Sequence, residues 1–256
     1  MNNNTVAAKS LVEEILNQPS KISECYTLFH DYSILNALAI RFQCQRKGLE
    51  VGPTASFKKW QERGVKIKKG QKALAVCIPF TVKSKYLTRK VKQNDGTETT
   101  EPVTYTAFTW KNCVFTYAQT DGKPFKQEEK QTRLFSYERA CKALGIEIIP
   151  FDMVNGNVQG FSSEKGIAIN PMAQHATRTA IHEIAHNLLH KNSNADKSLK
   201  EVEAELTSYI LGLILKLDGV EESRGYIKHW LGSNELQEKT ALKCICLANK
   251  IYTAGR

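Results

Sequence analysis

The sequence predicts an α+β protein of two domains, and three observations support this. The N-terminal half combines helical segments with two β-rich runs, whereas the C-terminal half is mostly helical with short strand candidates. Its 256 residues suffice for two domains, and a hydrophobic fraction of 41% is ample for a core. The net charge of +10 is confined to one half. We therefore predict domains over residues 1–125 and 136–256, joined by a linker at 126–135.

The charge distribution separates the two halves. Residues 1–135 hold 22 Lys and Arg against 12 Asp and Glu, whereas residues 136–256 hold 14 of each kind. Such an asymmetry predicts that the N-terminal half meets a polyanion. The alternative is a basic surface that serves only solubility.

The first two predicted elements are helices. Residues 5–17 (TVAAKSLVEEILN) place their apolar side chains on one helical face. A second helix lies within residues 26–48, where Ser33 is a candidate cap and Gly48 a candidate end.

Residues 57–72 (FKKWQERGVKIKKGQK) carry seven basic residues, one acid and the central Trp60. This composition suits single-stranded DNA, because lysines neutralise phosphates while an exposed ring stacks on a base. The alternative is that Trp60 belongs to the core and the lysines only solvate a turn.

Two β-rich runs follow, at residues 73–82 and 105–117. The polar segment 84–104 between them contains the turn signal Asn94-Asp95-Gly96. The pattern predicts a long β-hairpin with an exposed basic tip.

The C-terminal half reads as helices around a small sheet. A short helix at 136–144 ends at Gly145, and a long one at 174–191 carries the motif described below. The remaining predicted elements are strands at 146–151, 157–161 and 166–170 and helices at 199–218, 222–231 and 235–253.

The segment TAIHEIAHNLLH (179–190) contains an HExxH motif. His182 and His186 are four residues apart on one helical face, so both imidazoles reach one metal ion. Glu183 is the expected general base beside it. This zincin-like pattern predicts Zn²⁺, or another divalent metal, and an unidentified peptide substrate.

A third ligand is expected from EVEAEL on the next helix. We predict Glu203, because Thr207 one turn later can hydrogen-bond it, with Glu205 as the alternative. Glu201 reads as a solvated helix start. His190 lies too far along the helix for the same ion and is expected behind the ligands or as a cation at the helix end. Residues 166–170 are expected to be the edge strand that holds a peptide.

Other features limit the class of protein. The seven cysteines form no CxxC pair, which predicts reduced thiols in a cytoplasmic protein. No apolar run approaches the ~20 residues of a membrane helix, and the N-terminus lacks a signal-peptide core. We expect no membrane partner.

Several segments together resemble the ArdC-type antirestriction proteins of conjugative plasmids and related mobile elements. The resemblance covers nearly the whole chain, and its motifs are specific through their order and spacing. The segments are YSILNALAIRFQ (32–43), Phe57-x-x-Trp60 with GVKIKKGQKALAVCIP (64–79), VFTYAQTDG (114–122), GFSSEKGIAINP (160–171), TAIHEIAHNLLH (179–190), EVEAELTSYIL (201–211) and Gly225–Trp230.

The resemblance implies a protein that binds single-stranded DNA, depends on zinc and shields incoming DNA from host restriction. It implies metal binding by His182, His186 and Glu203 and catalysis by Glu183. It assigns to the DNA-binding motifs Tyr32, Asn36, Trp60, Lys68, Lys69, Gln119 and Thr120. The basic stretch itself adds Arg63, Lys66 and Lys72 to these candidates. The hairpin tip at 84–104 departs from the family pattern, which leaves the reach of the DNA-binding surface open.

Two further functions stay open. DNA coating alone could protect, with a structural or vestigial metal site. Alternatively, the chain is a regulatory peptidase that cleaves a repressor.

Overall fold

The computed structural model describes residues 6–19, 32–92, 98–125, 134–153, 157–191 and 193–256. Its helices are α1 (Ala8–Asn17), α2 (Ile34–Arg46), α3 (Phe57–Glu62), α4 (Tyr137–Leu144), α5 (Ala176–His190), α6 (Lys197–Leu215), α7 (Val220–Ser233) and α8 (Glu238–Gly255). Its strands are β1 (Thr54–Ser56), β2 (Leu74–Lys92), β3 (Glu98–Thr116), β4 (Gly160–Ser162) and β5 (Ile167–Ile169). The Asn94-Asp95-Gly96 turn and most of the predicted linker lie outside the described residues. The mixed helix and sheet composition confirms the predicted α+β class.

The first two helices form where the apolar pattern predicts them. On α1, Leu11, Val12 and Ile15 are buried along one face. At the start of α2 the Ser33 hydroxyl accepts a hydrogen bond from the Asn36 amide, and Gly48 adopts a left-handed φ of 62° just beyond its end.

The hairpin is longer than predicted. Strands β2 and β3 have 19 residues each and pair antiparallel in a sheet of order β1-β3-β2, with a register shift between Lys83 and Thr88. Both strands continue into the segment predicted as a loop, because backbone pairing persists after the apolar pattern has ended. None of the side chains at 79–88 and 100–109 is buried. The outer half of the hairpin is therefore a ribbon with solvent on both faces.

Two side-chain amides of α2 cover the outer edge of β2. Asn36 donates to the Cys77 carbonyl at 2.9 Å and accepts from the Cys77 amide at 2.7 Å. Gln43 makes the same pair of bonds with Ala75, at 2.8 Å each. These amides act as an added strand would, and Pro79, next along this edge, has no N–H to leave unpaired.

Trp60 is a core residue. Its side chain is fully buried, its indole N–H donates to the Phe115 carbonyl at 2.8 Å, and its ring packs against Tyr117 and Phe125. The prediction that Trp60 stacks on a DNA base is therefore wrong. Its spacing within a basic stretch reflects the amphipathic helix α3, which buries one face and exposes its lysines.

The C-terminal sheet is smaller than predicted. Of the segment 146–151, only Ile148 forms a bridge, parallel to Ile167. Strands β4 and β5 pair antiparallel and have three residues each. Ile146 is buried, but the other apolar residues of 146–151 are partly or largely exposed, so no continuous strand face is available to extend the sheet.

One hydrophobic core includes side chains from both halves of the chain, among them Leu11, Ile34, Ile181 and Ile245. Helix α8 packs against α1 and α2 as well as against α6. The carboxylate of Glu238 accepts hydrogen bonds from the backbone amides of Ala8 and Lys9 at the start of α1. The side-chain oxygen of Asn249 accepts a hydrogen bond from the Ile34 amide at 3.0 Å. The domain limits at 125 and 136 stay a prediction, since the core is shared across them.

None of the helices in the described part of the chain is long and apolar enough to cross a bilayer. Within the same residues, the six cysteines are free thiols.

Replacing Trp60 with Ala should destabilise the fold. A fully buried large aromatic costs about 3–5 kcal/mol when truncated, because transfer energy is lost and a cavity remains. Chemical denaturation measures this loss, and Phe57→Ala on the same helix, where the ring is half-exposed, should change stability far less. A Trp60→Ala protein of native stability that had lost DNA affinity would contradict the core assignment.

Candidate functional site

Three ligand atoms from two adjacent helices converge on one point. The Nε2 atoms of His182 and His186 on α5 lie 3.0 Å apart. The Oε2 atom of Glu201 on α6 is 3.6 Å from the first and 3.5 Å from the second. A point equidistant from the three atoms lies about 2.0 Å from each, which is the distance at which zinc takes nitrogen and oxygen ligands. The donor set therefore fits a divalent metal.

The third residue of this group is Glu201 and not Glu203 as predicted. Residues 201 and 203 lie about 200° apart around α6, so they cannot face the same partner. The Glu203 carboxylate points instead to His190 and Lys243. Thr207, which guided the prediction, donates to the backbone carbonyl of Glu203 at 2.8 Å rather than to its carboxylate.

The alternative Glu205 supports a ligand from behind. Its Oε2 atom lies 2.8 Å from Nδ1 of His182, one helical turn from Glu201 on the same face of α6. A carboxylate only accepts hydrogen bonds, so in the neutral imidazole of His182 the proton is on Nδ1. The lone pair of Nε2 is then free for a metal.

The second imidazole is supported differently. Nδ1 of His186 lies 3.0 Å from Nδ1 of His190, and Nε2 of His190 lies 2.9 Å from Glu203. Lys243 on α8 donates to the same Glu203 oxygen at 2.5 Å. His190 is thus the residue behind the ligands, the first of its two predicted roles.

The electrostatics of the cluster favour a cation. Burial alone lowers the pKa of His182, but its bonds to Glu201 and Glu205 outweigh burial and raise that pKa to about 9. Burial and the neighbouring His182 lower the pKa of His186 to about 4. Without a metal, the additional proton of His182 is therefore held on a ring that lies between the carboxylates of Glu201 and Glu205, and a metal at Nε2 would take its place.

Glu183 lies in the wall of a cleft of about 570 Å³ that also contains both histidines and Glu201. Burial raises its pKa to about 7. Strand β4 forms the opposite wall and approaches α5 so closely that a Cβ at Gly160 would lie 2.8 Å from Thr179 and 3.3 Å from Glu183. The cleft therefore brings a titratable carboxylate next to the metal ligands.

The edge strand at this cleft is β4. Strand β5, within the predicted segment 166–170, has partners on both sides, β4 and the bridge at Ile148. The expectation that 166–170 forms the edge is therefore wrong, because residues 147–149 form hydrogen bonds along the other side of β5.

Several side chains that were predicted to bind DNA instead form hydrogen bonds with the protein backbone. The buried Gln119 accepts from the Thr116 amide and donates to the Lys72 carbonyl, and the buried Thr120 donates to the Tyr117 carbonyl. The Tyr32 hydroxyl donates to the Thr54 carbonyl at 3.3 Å. Together with Asn36, these polar groups make hydrogen bonds within the base of the hairpin, and Gln119 and Thr120 are too buried to contact DNA.

The basic residues of the same region divide into two kinds. Arg63 is half-buried with its guanidinium over the rings of Trp60 and Phe125. The others have exposed side chains and are Lys66, Lys68, Lys69 and Lys72.

A second cleft, of about 520 Å³, lies at the base of the hairpin. Arg46, Lys47 and Lys72 line it, and no acid is among its described lining residues. The ribbon beyond exposes apolar side chains, which are Phe80, Tyr86, Leu87, Tyr105 and Phe108. The sequence did not predict that these aromatic side chains are exposed, because an aromatic residue in a β-rich segment ordinarily indicates a position in the hydrophobic core.

Two kinds of comparison relate the chain to known proteins. Residues 16–137 match a family model described as the N-terminal domain of anti-restriction factor ArdC. The crystal structure of the antirestriction protein ArdC from the R388 plasmid, metal-free, matches with a TM-score of 0.52 and 18% identity over 96% of this chain and 95% of that one. Its Mn(II)-bound structure matches with a TM-score of 0.51 and 16% identity over 98% and 97%. No curated protein matches the chain.

The family model covers the part of the chain that contains the hairpin, and the fold match extends over the metal-ligand cluster as well. Residues 16–137 are therefore similar to the ArdC N-terminal domain, and nearly the whole chain shares the fold of the ArdC crystal structures.

Proposed function

We propose that this protein binds single-stranded DNA with its basic N-terminal half and hydrolyses peptide bonds at a divalent-metal site in its C-terminal half. In this way it would shield DNA of a mobile element from host restriction in the cytoplasm. The observation that carries the proposal is the convergence of His182, His186 and Glu201 in a cleft that also contains Glu183.

The metal site is supported by chemistry as well as by distance. Two imidazoles and one carboxylate suit zinc, manganese and other first-row metals. The ArdC protein of the R388 plasmid has a Mn(II)-bound structure, which supports a divalent ion at the same fold. We propose zinc as the metal, with manganese as the first alternative to measure.

Peptide hydrolysis needs a base and a place for an extended chain. A divalent ion held by these three ligands supplies Lewis-acid activation. In this proposal Glu183 takes a proton from the attacking water and returns it to the leaving amine, and its raised pKa suits both tasks. Among the described residues β4 pairs only with β5, so its other edge offers backbone groups that can hold a peptide as an added strand.

The DNA-binding proposal rests on the hairpin and its base. The exposed lysines and the cationic cleft attract phosphates, since no acid lines that cleft among the described residues. On one face of the ribbon, Phe80 pairs with Ala107 and Val82 with Tyr105, so the two rings are diagonal neighbours. These two adjacent exposed rings form a stacking surface for unpaired bases, and the exposed Lys83 and Lys85 of the same strand add positive charge to the ribbon.

Replacing Glu183 with Gln should lower proteolysis by about 100-fold or more, because a general base contributes on that scale. A fluorescence-quenched peptide library measures proteolysis, and metal content and oligonucleotide affinity are measured in parallel. We expect both of these to stay unchanged, as should every property of Glu147→Gln, an exposed control in the same half.

Loss of DNA affinity together with proteolysis would contradict the division of labour. Full protection of transferred DNA by the Glu183→Gln protein would favour DNA coating alone, and a single cleaved protein in cell extracts would favour a regulatory peptidase.

Replacing Glu201 with Ala should weaken metal binding strongly, since one of three protein ligands is removed. Titration calorimetry with Zn²⁺ and Mn²⁺ measures the dissociation constants, with Glu147→Ala as the control. Unchanged metal affinity in the Glu201→Ala protein would exclude Glu201 as a ligand.

Replacing Phe80 and Tyr105 together with Ser should reduce affinity for a labelled oligo(dT) by at least about tenfold, because each stacked base contributes about 1–3 kcal/mol. Met172→Ser removes an even more exposed apolar side chain from the other half and should have no effect. Unchanged affinity of the double variant, or a preference of the wild type for duplex DNA, would refute this stacking surface.

A further inference from the structure

Behind His186, a row of polar groups runs from the cleft to the partly exposed Lys243 on α8. His190 follows His186 on α5 and is buried, and Glu203 is 3% exposed. The contacts between them measure 3.0 Å from His186 to His190, 2.9 Å from His190 to Glu203 and 2.5 Å from Lys243 to Glu203. None of His190, Glu203 and Lys243 belongs to the proposed metal ligands, and the burial of His190 and Glu203 calls for an explanation.

The direction of each hydrogen bond follows from the last acceptor. A carboxylate has no proton to give, so Nε2 of His190 must donate to Glu203. Nδ1 of a neutral His190 is then an acceptor, and Nδ1 of His186 donates to it. The remaining nitrogen of His186, Nε2, keeps its lone pair, and this is the atom that faces His182 and Glu201.

Lys243 fixes the position of the carboxylate at the far end. A buried carboxylate with one neutral donor is costly, because desolvation is only partly offset. The ammonium group of Lys243, 2.5 Å from the same oxygen, offsets part of that cost. Glu203 is thus held in one orientation by its contacts with His190 and Lys243.

We propose that Lys243, Glu203 and His190 form a positioning relay that keeps His186 in its Nδ1–H tautomer and so strengthens metal binding. The inference rests on the proposed metal site. It gives the two ligands different supports, since His182 bonds directly to a carboxylate whereas His186 reaches one through a second histidine. It also assigns a role to Lys243, which lies on the helix that packs against the N-terminal half.

The competing explanation is that Lys243 and Glu203 only join α6 to α8. That explanation predicts a change in stability and no change in ligand chemistry. A test must therefore read the metal affinity and the tautomer separately from stability.

The affinity test uses full-length Lys243→Met and His190→Phe, with Lys243→Arg as the conservative variant and Lys250→Met as an exposed control on the same helix. Competition with a chromophoric chelator gives the Zn²⁺ dissociation constant. Residues that orient a ligand typically change metal affinity by about 10–100-fold, so we expect that loss for Lys243→Met and His190→Phe. Arginine should restore most of it, and Lys250→Met should match the wild type.

The tautomer test uses long-range ¹H–¹⁵N correlation spectra of the metal-free proteins. The wild type should show His186 protonated on Nδ1, and His190→Phe should show a mixture of both tautomers. Wild-type metal affinity and an unchanged tautomer in Lys243→Met and His190→Phe would overturn the relay. A wild-type protein that binds no metal would overturn the proposed function instead, while the spectra would still decide on the relay.

Discussion

The packing of α5 against α6 is the constraint on which the site depends. Residues four apart share one face of a helix, so His182 and His186 on α5 meet Glu201 and Glu205 on α6 across one interface. The two helices pack closely along this interface. Without that packing the HExxH motif would be two histidines on a helix surface. With it, three ligand atoms lie around a single point.

How far the sequence predicted the fold depended on how regular each signal was. Long periodic helices such as α2 and α6 were predicted nearly to their ends, because an apolar stripe and a cap act locally. The hairpin was predicted too short, since pairing of β2 and β3 outlasts the alternation of apolar residues. The prediction of a strand at 146–151 was wrong, because a short apolar segment does not reveal whether another strand is available to pair with it.

The site was predictable in its motif and not in its third ligand. His182, Glu183 and His186 are adjacent enough for helical geometry to place them together. Glu201 required the rotation of α6 about its axis, which tertiary packing sets. The pairing of Glu201 with Glu205 at one helical turn was an available signal, since only these two of the three glutamates can face α5 together. For Trp60, composition could not distinguish an exposed ring from a buried one, and amphipathicity of α3 decided the outcome.

The central claim is that His182, His186 and Glu201 hold one divalent ion. X-ray absorption fine structure of the zinc-loaded protein tests it most directly. The account predicts two imidazole nitrogens and at least one oxygen at about 2.0–2.2 Å from zinc. Sulfur neighbours at about 2.3 Å, or fewer than two imidazoles in the first shell, would contradict it.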